Sequence, residues 1–351
     1  MQLRQIASVL AMLLVVPVAV QAATGTPAPK PAAKSTPFES PSAIKMDKSK
    51  WPRGITVASA PVGGVYYAWA AGWQKVLTEK VGLPTNVEVT AGSVQNIMLV
   101  EENKSTFGIT TTSNTFEGWN GQEWAKGKKY QNIRLVLPLY SSYLHGVALA
   151  KSGIKKLQDL EGKVVGLGAK GGGGDVMARN VLRVLQIKPK RIVNAGFDDM
   201  NDQMKDGLLD AQLTAAGLPL PSFTELEATE KLVFIGISSE DAKKVIAEYP
   251  YFVESTVRAG VYKAVSQPVP TLALWIMTIT NKDLPEDFIY TIVKETYANQ
   301  DVIAATHPVG KEMPMERVGS SPIPLHSGAL RYFLEKGIKL PDKVFPPEFK
   351  R

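Results

Sequence analysis

The sequence predicts an α/β protein of two lobes, and three observations carry that reading. Short apolar runs alternate with amphipathic helical stretches from residue 55 to residue 297, the order expected of a doubly wound sheet. Glycines recur where a run hands over to a helix, at Gly63-Gly64, at Gly92 and at Gly171 to Gly174. The length of 351 residues suits two domains of about 150 residues each.

Residues 1–22 read as a signal peptide. Arg4 gives a basic start, residues 6–20 form an apolar run broken by Pro17, and Val20-Gln21-Ala22 fits a small-x-small cleavage site near Ala22. A membrane span needs about 18 or more unbroken apolar residues, so the mature chain is expected to be exported and soluble. Residues 23–53 are rich in Ala, Pro, Lys, Ser and Thr, too poor in apolar side chains to fold, and read as an extended linker. The net charge of +7 invites a nucleic-acid reading, but residues 1–53 hold seven bases against Glu39 and Asp47. That segment carries +5, which leaves +2 for the remaining 298 residues. No run of Lys and Arg interleaved with aromatics marks a phosphate footprint, so nucleic acid is not an expected partner. With no cysteine, a lipobox anchor, disulfides and thiolate metal sites are excluded.

Residues 55–59 (Ile-Thr-Val-Ala-Ser) predict a buried strand, and 66–80 a helix with Trp69, Trp73, Val76 and Leu77 on one face. Between them, Ala60-Pro61-Val62-Gly63-Gly64-Val65-Tyr66-Tyr67 joins strand to helix through two glycines. Backbone N–H groups and the partial positive charge of a helix start favour a carboxylate or phosphate there; a tight turn with no ligand is the alternative. Residues 86–90 are the next strand, and Ala91-Gly92-Ser93 turns into a helix over 94–102, with Ser93 placed either as N-cap or facing a ligand. A third strand over 107–111 ends in Thr110-Thr111-Thr112-Ser113-Asn114. Ligands collect beyond the carboxyl ends of strands in such sheets, although hydroxyls there also bond their own loop backbone.

Residues 135–140 and 144–150 predict two strand-like segments leading into the second lobe. The plan then repeats: a strand over 163–167, a glycine loop, a helix over 175–185, a strand over 191–194 and a helix over 198–208. Strands over 211–214 and 232–235 alternate with helices over 218–229 and 239–249, followed by a long apolar strand over 272–280 and a helix over 285–297 with proline in its first turn. Lobe 1 is expected to comprise 54–143 and 266–351, and lobe 2 144–265.

Gly166-Leu167-Gly168-Ala169-Lys170-Gly171 matches the dinucleotide fingerprint Gly-x-Gly-x-x-Gly. That reading wants an acid about 20 residues on, whereas Asp198 and Asp199 lie 27 and 28 residues past Gly171. His145, His307 and His326 form no His-x-x-x-His pair, and no Gly-x-Ser-x-Gly elbow is present. No enzyme activity, cofactor or metal is therefore expected.

Six ordered segments resemble the TAXI family, the solute-binding receptors of TRAP transporters. They are Ala60 to Tyr67; Ala91-Gly92-Ser93-Val94-Gln95-Asn96; Leu160-Glu161-Gly162-Lys163-Val164-Val165-Gly166; Asp206-Gly207-Leu208-Leu209-Asp210-Ala211; Ala216-Gly217-Leu218-Pro219; and Ile323-Pro324-Leu325-His326-Ser327-Gly328-Ala329. The resemblance, spanning about 55–338, implies a two-lobed periplasmic-binding-protein fold of type II with the ligand cleft between the lobes. It further implies capture of a small organic acid or amino acid (glutamate, glutamine or 2-oxoglutarate) for delivery to a TRAP membrane permease. An exported sensor module acting on a membrane kinase is the alternative. Two departures fall at the expected cleft: Gly171 to Gly174 lack the family's usual Ser or Thr, and Thr111-Thr112-Ser113-Asn114 lacks an acid.

The candidate ligand-binding residues are Gly63, Gly64, Tyr66, Tyr67, Ser93, Asn96, Thr112, Ser113, Gly172, Gly173, Gly174, Asp175 and Gly217. No arginine lies in these loops, Arg134 and Arg179 being nearest in sequence. The expected grip on a carboxylate is therefore by backbone N–H groups after Gly64, Gly92 and Gly174, helped by Ser93, Thr112 and Ser113.

Overall fold

In the computed structural model, which describes residues 45–349, β1 (Ile55–Ala58) runs directly into α1 (Val65–Val76), extended by a π-helical turn over Leu77–Val81. The helical spacing of its apolar residues decides how α1 packs: Trp69, Trp73, Val76 and Leu77 are all fully buried. The Trp73 ring lies 5.0 Å from Phe107, tilted by 60°, and donates its indole N–H to Thr296 Oγ1 at 2.7 Å, so the one polar atom of a buried tryptophan is satisfied. The expected signal peptide (1–22) and most of the expected linker (23–44) lie outside the described residues. The last part of the linker is a correction. Asp47 N and Trp51 Nε1 both donate to Asp287 Oδ2, and the Trp51 ring lies 5.4 Å from Phe288. One tryptophan with a buried acceptor is enough to fix a polar stretch that composition alone reads as extended.

The first half continues as β2 (Thr85–Glu88), α2 (Ser93–Glu101), β3 (Phe107–Thr111) and α3 (Thr112–Asn120). Strand β1 is central, parallel to both β2 and β3. The helix α3 begins where a polar loop was expected: Thr111 is its N-cap, accepting from Asn114 N at 3.1 Å. Its hydroxyl thus bonds its own turn, the second of the two readings left open for these side chains.

The two expected strand segments are one strand, β4 (Ile133–Leu149). After it come β5 (Val164–Gly166), α4 (Gly173–Val184), β6 (Arg191–Val193), α5 (Phe197–Lys205), β7 (Ala211–Ala216), α6 (Pro221–Thr229), β8 (Leu232–Ile235), α7 (Ser239–Glu248) and β9 (Val253–Val257). The return is β10 (Val269–Asn281), followed by α8 (Glu286–Ala298), α9 (Gln300–Ala304) and α10 (Ser327–Glu335).

One mixed sheet runs β2-β1-β3-β10-β4-β7-β5-β6, with β8 added on β4 and β9 on β10. Two long antiparallel strands, β4 and β10, carry it from one half to the other. Residues 133–138 of β4 pair with 277–281 of β10, and 143–148 pair with β7. Likewise 276–280 of β10 pair with β3, and 269–273 pair with β9. The register slips between Trp275 and Met277, where a bulge bends the ladder. Among the described residues no helix is long and apolar enough to cross a membrane.

Candidate functional site

Four helices open on one small cavity, and all four start from glycine. The N-caps of α1, α2, α4 and α5 are Gly64, Gly92, Gly172 and Gly196, and none makes a side-chain cap hydrogen bond. By contrast α3 and α7 are capped by the hydroxyls of Thr111 and Ser238. Every helix leaves its first N–H groups without an intrahelical partner. A serine or threonine cap consumes one of them, whereas a glycine cap does not and lets an anion approach the backbone; in α2 the Val94 N–H is taken by Gly171 O.

The cavity encloses about 50 Å³ and is lined by Gly64 and Tyr66 from α1, Gly92 before α2, and Gly172, Gly173, Gly174 and Asp175 at α4. Phe197 and the β7 end (Thr214, Ala215, Ala216) complete the wall. Residues of both halves of the sheet meet there. Val94 N donates to Gly171 O at 3.2 Å, and a Cβ on Gly92 would lie 3.3 Å from Gly172 Cα. Gly92 has φ +103° and Gly171 φ +75°, so only glycine serves at this approach without strain. Small-molecule pockets usually measure roughly 300–1,000 Å³. The halves are therefore closed on each other here, leaving room for a few water molecules.

Besides Asp175, the polar side chains are hydroxyls. Tyr66 Oη and Ser93 Oγ lie 3.1 Å apart, and burial raises the Tyr66 phenol above its ordinary range, so it is a neutral donor. Thr214 Oγ1 is buried with no hydrogen-bond partner among the described residues, and it lies against Gly174, where a Cβ would collide with it. A buried hydroxyl without a partner costs free energy that a ligand acceptor would recover.

Of the expected residues, Gly64, Tyr66, Gly172, Gly173, Gly174 and Asp175 line this cavity, and Ser93 reaches it through Tyr66 and Gly173. Asp175 braces the loop: its carboxylate accepts from Gly171 N, Arg179 Nε and Asn194 Nδ2. Gly63 approaches Asp198, and Gly217 packs against Tyr140 and Val65; neither lines the cavity. Tyr67 is half-buried and also off it.

The structure does not bring Asn96, Thr112 or Ser113 to this cavity. Asn96 Nδ2 donates to Ser59 O and Ile109 O at 2.6 and 2.7 Å, while Oδ1 accepts from Thr90. Both of its amide hydrogens thus tie β1 to β3, and none is left for a ligand. Ser113 Oγ is 2.9 Å from Thr111 Oγ1, inside the α3 cap, and Thr112 lines a different, larger cavity. Arg134 is engaged by Glu348 at 2.7 and 3.0 Å and by two backbone carbonyls. Thr214 and the Gly196-Phe197 turn went unread. The signal for the second was present, since Asn194-Ala195-Gly196-Phe197 repeats the strand, glycine, helix pattern of Gly64 and Gly92.

No group of three or more His, Cys, Asp or Glu suited to a metal ion occurs among the described residues. The fold is similar to that of the periplasmic binding protein BugD, at 11% identity and a TM-score of 0.53 over 81% of this chain and 93% of the other. Weaker likenesses are to the GluR0 ligand-binding core of Nostoc punctiforme, solved with L-glutamate (16% identity, 72% and 97% covered, TM-score 0.44). Another is to the arginine-, lysine-, histidine-binding protein ArtJ of Geobacillus stearothermophilus (12%, 75% and 98%, 0.46). The architecture is thus that of a two-lobed periplasmic binding protein. A family model matches residues 57–337, and the chain belongs to the NMT1-like family.

Proposed function

We propose that this protein is an exported receptor that closes two lobes on a small carboxylate or amino acid and hands it to a membrane permease. The lobes would be 54–143 with 266–351, and 144–265, joined through β4 and β10. The observation that carries the reading is the convergence of four glycine-started helices on one cavity, with the Thr214 hydroxyl beside them unpartnered among the described residues. Fixed N–H dipoles of that kind attract a carboxylate and offer nothing special to a neutral sugar.

The finer reading, a TRAP-type permease as partner and glutamate, glutamine or 2-oxoglutarate as ligand, is supported by the six TAXI-like segments. Three of them, Ala60 to Tyr67, Ala91 to Asn96 and Ala216 to Pro219, contribute residues to the cavity. Mass spectrometry of solutes retained by the purified protein is the direct test. Calorimetry across glutamate, glutamine, 2-oxoglutarate, succinate and a sugar panel follows, with tight binding expected only for compounds carrying a carboxylate. Preference for an uncharged sugar, or full binding of a methyl ester at the gripped end, overturns the proposal.

A further inference from the structure

A second cavity, of about 970 Å³, lies away from the glycine-started helices. Its walls come from α3 and from the segment joining α7 to β9, and its floor is Ser141 of β4 and Trp275 of β10. Its chemistry is the reverse of the first. Phe116, 38% exposed, and the rings of Tyr251 and Tyr249 form an aromatic wall, with ring centroids 6.5 and 5.6 Å from Tyr251. Glu117, Glu123 and Glu248 supply carboxylates, against the guanidinium of Arg317.

The charges nearly all have partners. Arg317 donates to Leu139 O and Ser141 Oγ at 2.9 and 3.0 Å, which fixes its fork on the floor. Arg183 reaches Glu123 at 3.4 Å and Glu248 at 3.8 Å and lies 5.5 Å over the Tyr249 ring. Three of the lining residues thus already hold a cation between carboxylates on an aromatic face. Glu117 is the acid left over. It is 1% exposed, Oε1 accepts the Tyr251 hydroxyl at 2.8 Å, and Oε2 has no partner among the described residues. Burial raises its carboxyl to about 7, the state of an acid lacking a counter-ion.

We propose that this cavity is a second ligand site, for an organic amine whose ammonium pairs with Glu117 and whose apolar body lies against Phe116, Tyr251 and Trp275. An anion meets three carboxylates and an arginine already committed to the floor. A neutral apolar compound leaves the Glu117 oxygen unsatisfied, and a divalent metal needs more ligands than one carboxylate offers. An ammonium on a short apolar stem satisfies both the charge and the aromatic wall.

Phenethylamine is the probe, with 2-phenylethanol and 3-phenylpropionate as controls of matched shape, titrated calorimetrically into the full chain. The amine is expected to bind at least about tenfold more tightly than either control. Glu117→Gln, which keeps the Tyr251 hydrogen bond, is expected to reduce it to the level of the alcohol; Phe116→Ala is expected to weaken it as well. Exposed Glu240→Gln serves as a control that leaves binding unchanged. Thermal melts of each variant confirm folding. Equal binding of amine and alcohol, undiminished amine binding by Glu117→Gln, or no amine binding at about 10 mM overturns the proposal. None of these outcomes bears on the glycine-lined cavity.

Discussion

The hydroxyls of Tyr66 and Ser93 meet at 3.1 Å, and both lie beside the backbone of Gly173, where an added Cβ would stand 3.4 and 3.1 Å from them. Two helices of one half thereby present a hydroxyl pair to the first turn of a helix in the other. Ser93→Ala is expected to leave Tyr66 short of one partner and to weaken carboxylate binding by about 1–3 kcal/mol. Its melting temperature should stay near wild type. An unchanged dissociation constant would remove Ser93 from the site.

Closure should be blocked by Gly173→Ala. The new methyl would lie 2.6 Å from Thr111 Cγ2, and Thr111 cannot turn away easily because its hydroxyl bonds Ser113 and Asn114. Solution scattering with a carboxylate that compacts the wild type is expected to show no compaction for this variant. Equal compaction of the two would falsify the closed contact.

Asn96→Ala is expected to cost stability and spare affinity. It removes the amide donor to Ile109 O and one of the two donors to Ser59 O, which keeps the Thr90 hydroxyl, a loss of roughly 1–3 kcal/mol. Urea denaturation and calorimetry separate the effects; a normal urea midpoint with weakened binding would return Asn96 to the ligand.

The pH dependence of stability has two opposed sources. Burial pushes His145 and His326 down to about 4 from 6.5. The unfolded chain takes up their protons below 6.5 while the folded chain refuses them, so the stability present above 6.5 is lost as pH falls toward 4. Glu117 acts the other way: burial, only partly offset by the Tyr251 hydrogen bond, raises it to about 7 from 4.5. Its contribution is full below 4.5 and is lost as pH rises through 7. Glu117→Gln is expected to be more stable than wild type at pH 8, by up to about 3 kcal/mol, and equal to it near pH 4.5. Urea midpoints differing equally at both pH values would contradict this.

The strand and helix order was legible because apolar spacing reports burial directly. The expected strand over 107–111 is β3 to the residue, and the four apolar residues assigned to the first helix face are all buried. What escaped has particular causes. β9 (Val253–Val257) is mostly exposed and carries Glu254, so it lacks an apolar signature. Ser141-Ser142 reads as a break, yet β4 continues through it because β10 pairs with both residues. Within the site, glycines were legible since few other causes put them at a strand-to-helix junction. Polar side chains were not, because an asparagine reads the same whether it bonds a ligand or, as Asn96 does, the carbonyls beneath it.

The crossing of β4 and β10 also sets an order of events in time. The edge of β3 is covered only by 276–280 of β10, with Ile276 opposite Thr111 and Thr280 opposite Phe107, partners more than 160 residues apart. A chain emerging from its N-terminus holds that edge bare until most of its length has been made. Fragments ending before Leu272 should accordingly remain unfolded and sensitive to protease, since β1–β3 have no sheet neighbour to complete them. A polypeptide of this design stays threadable through a narrow channel until its last quarter is delivered.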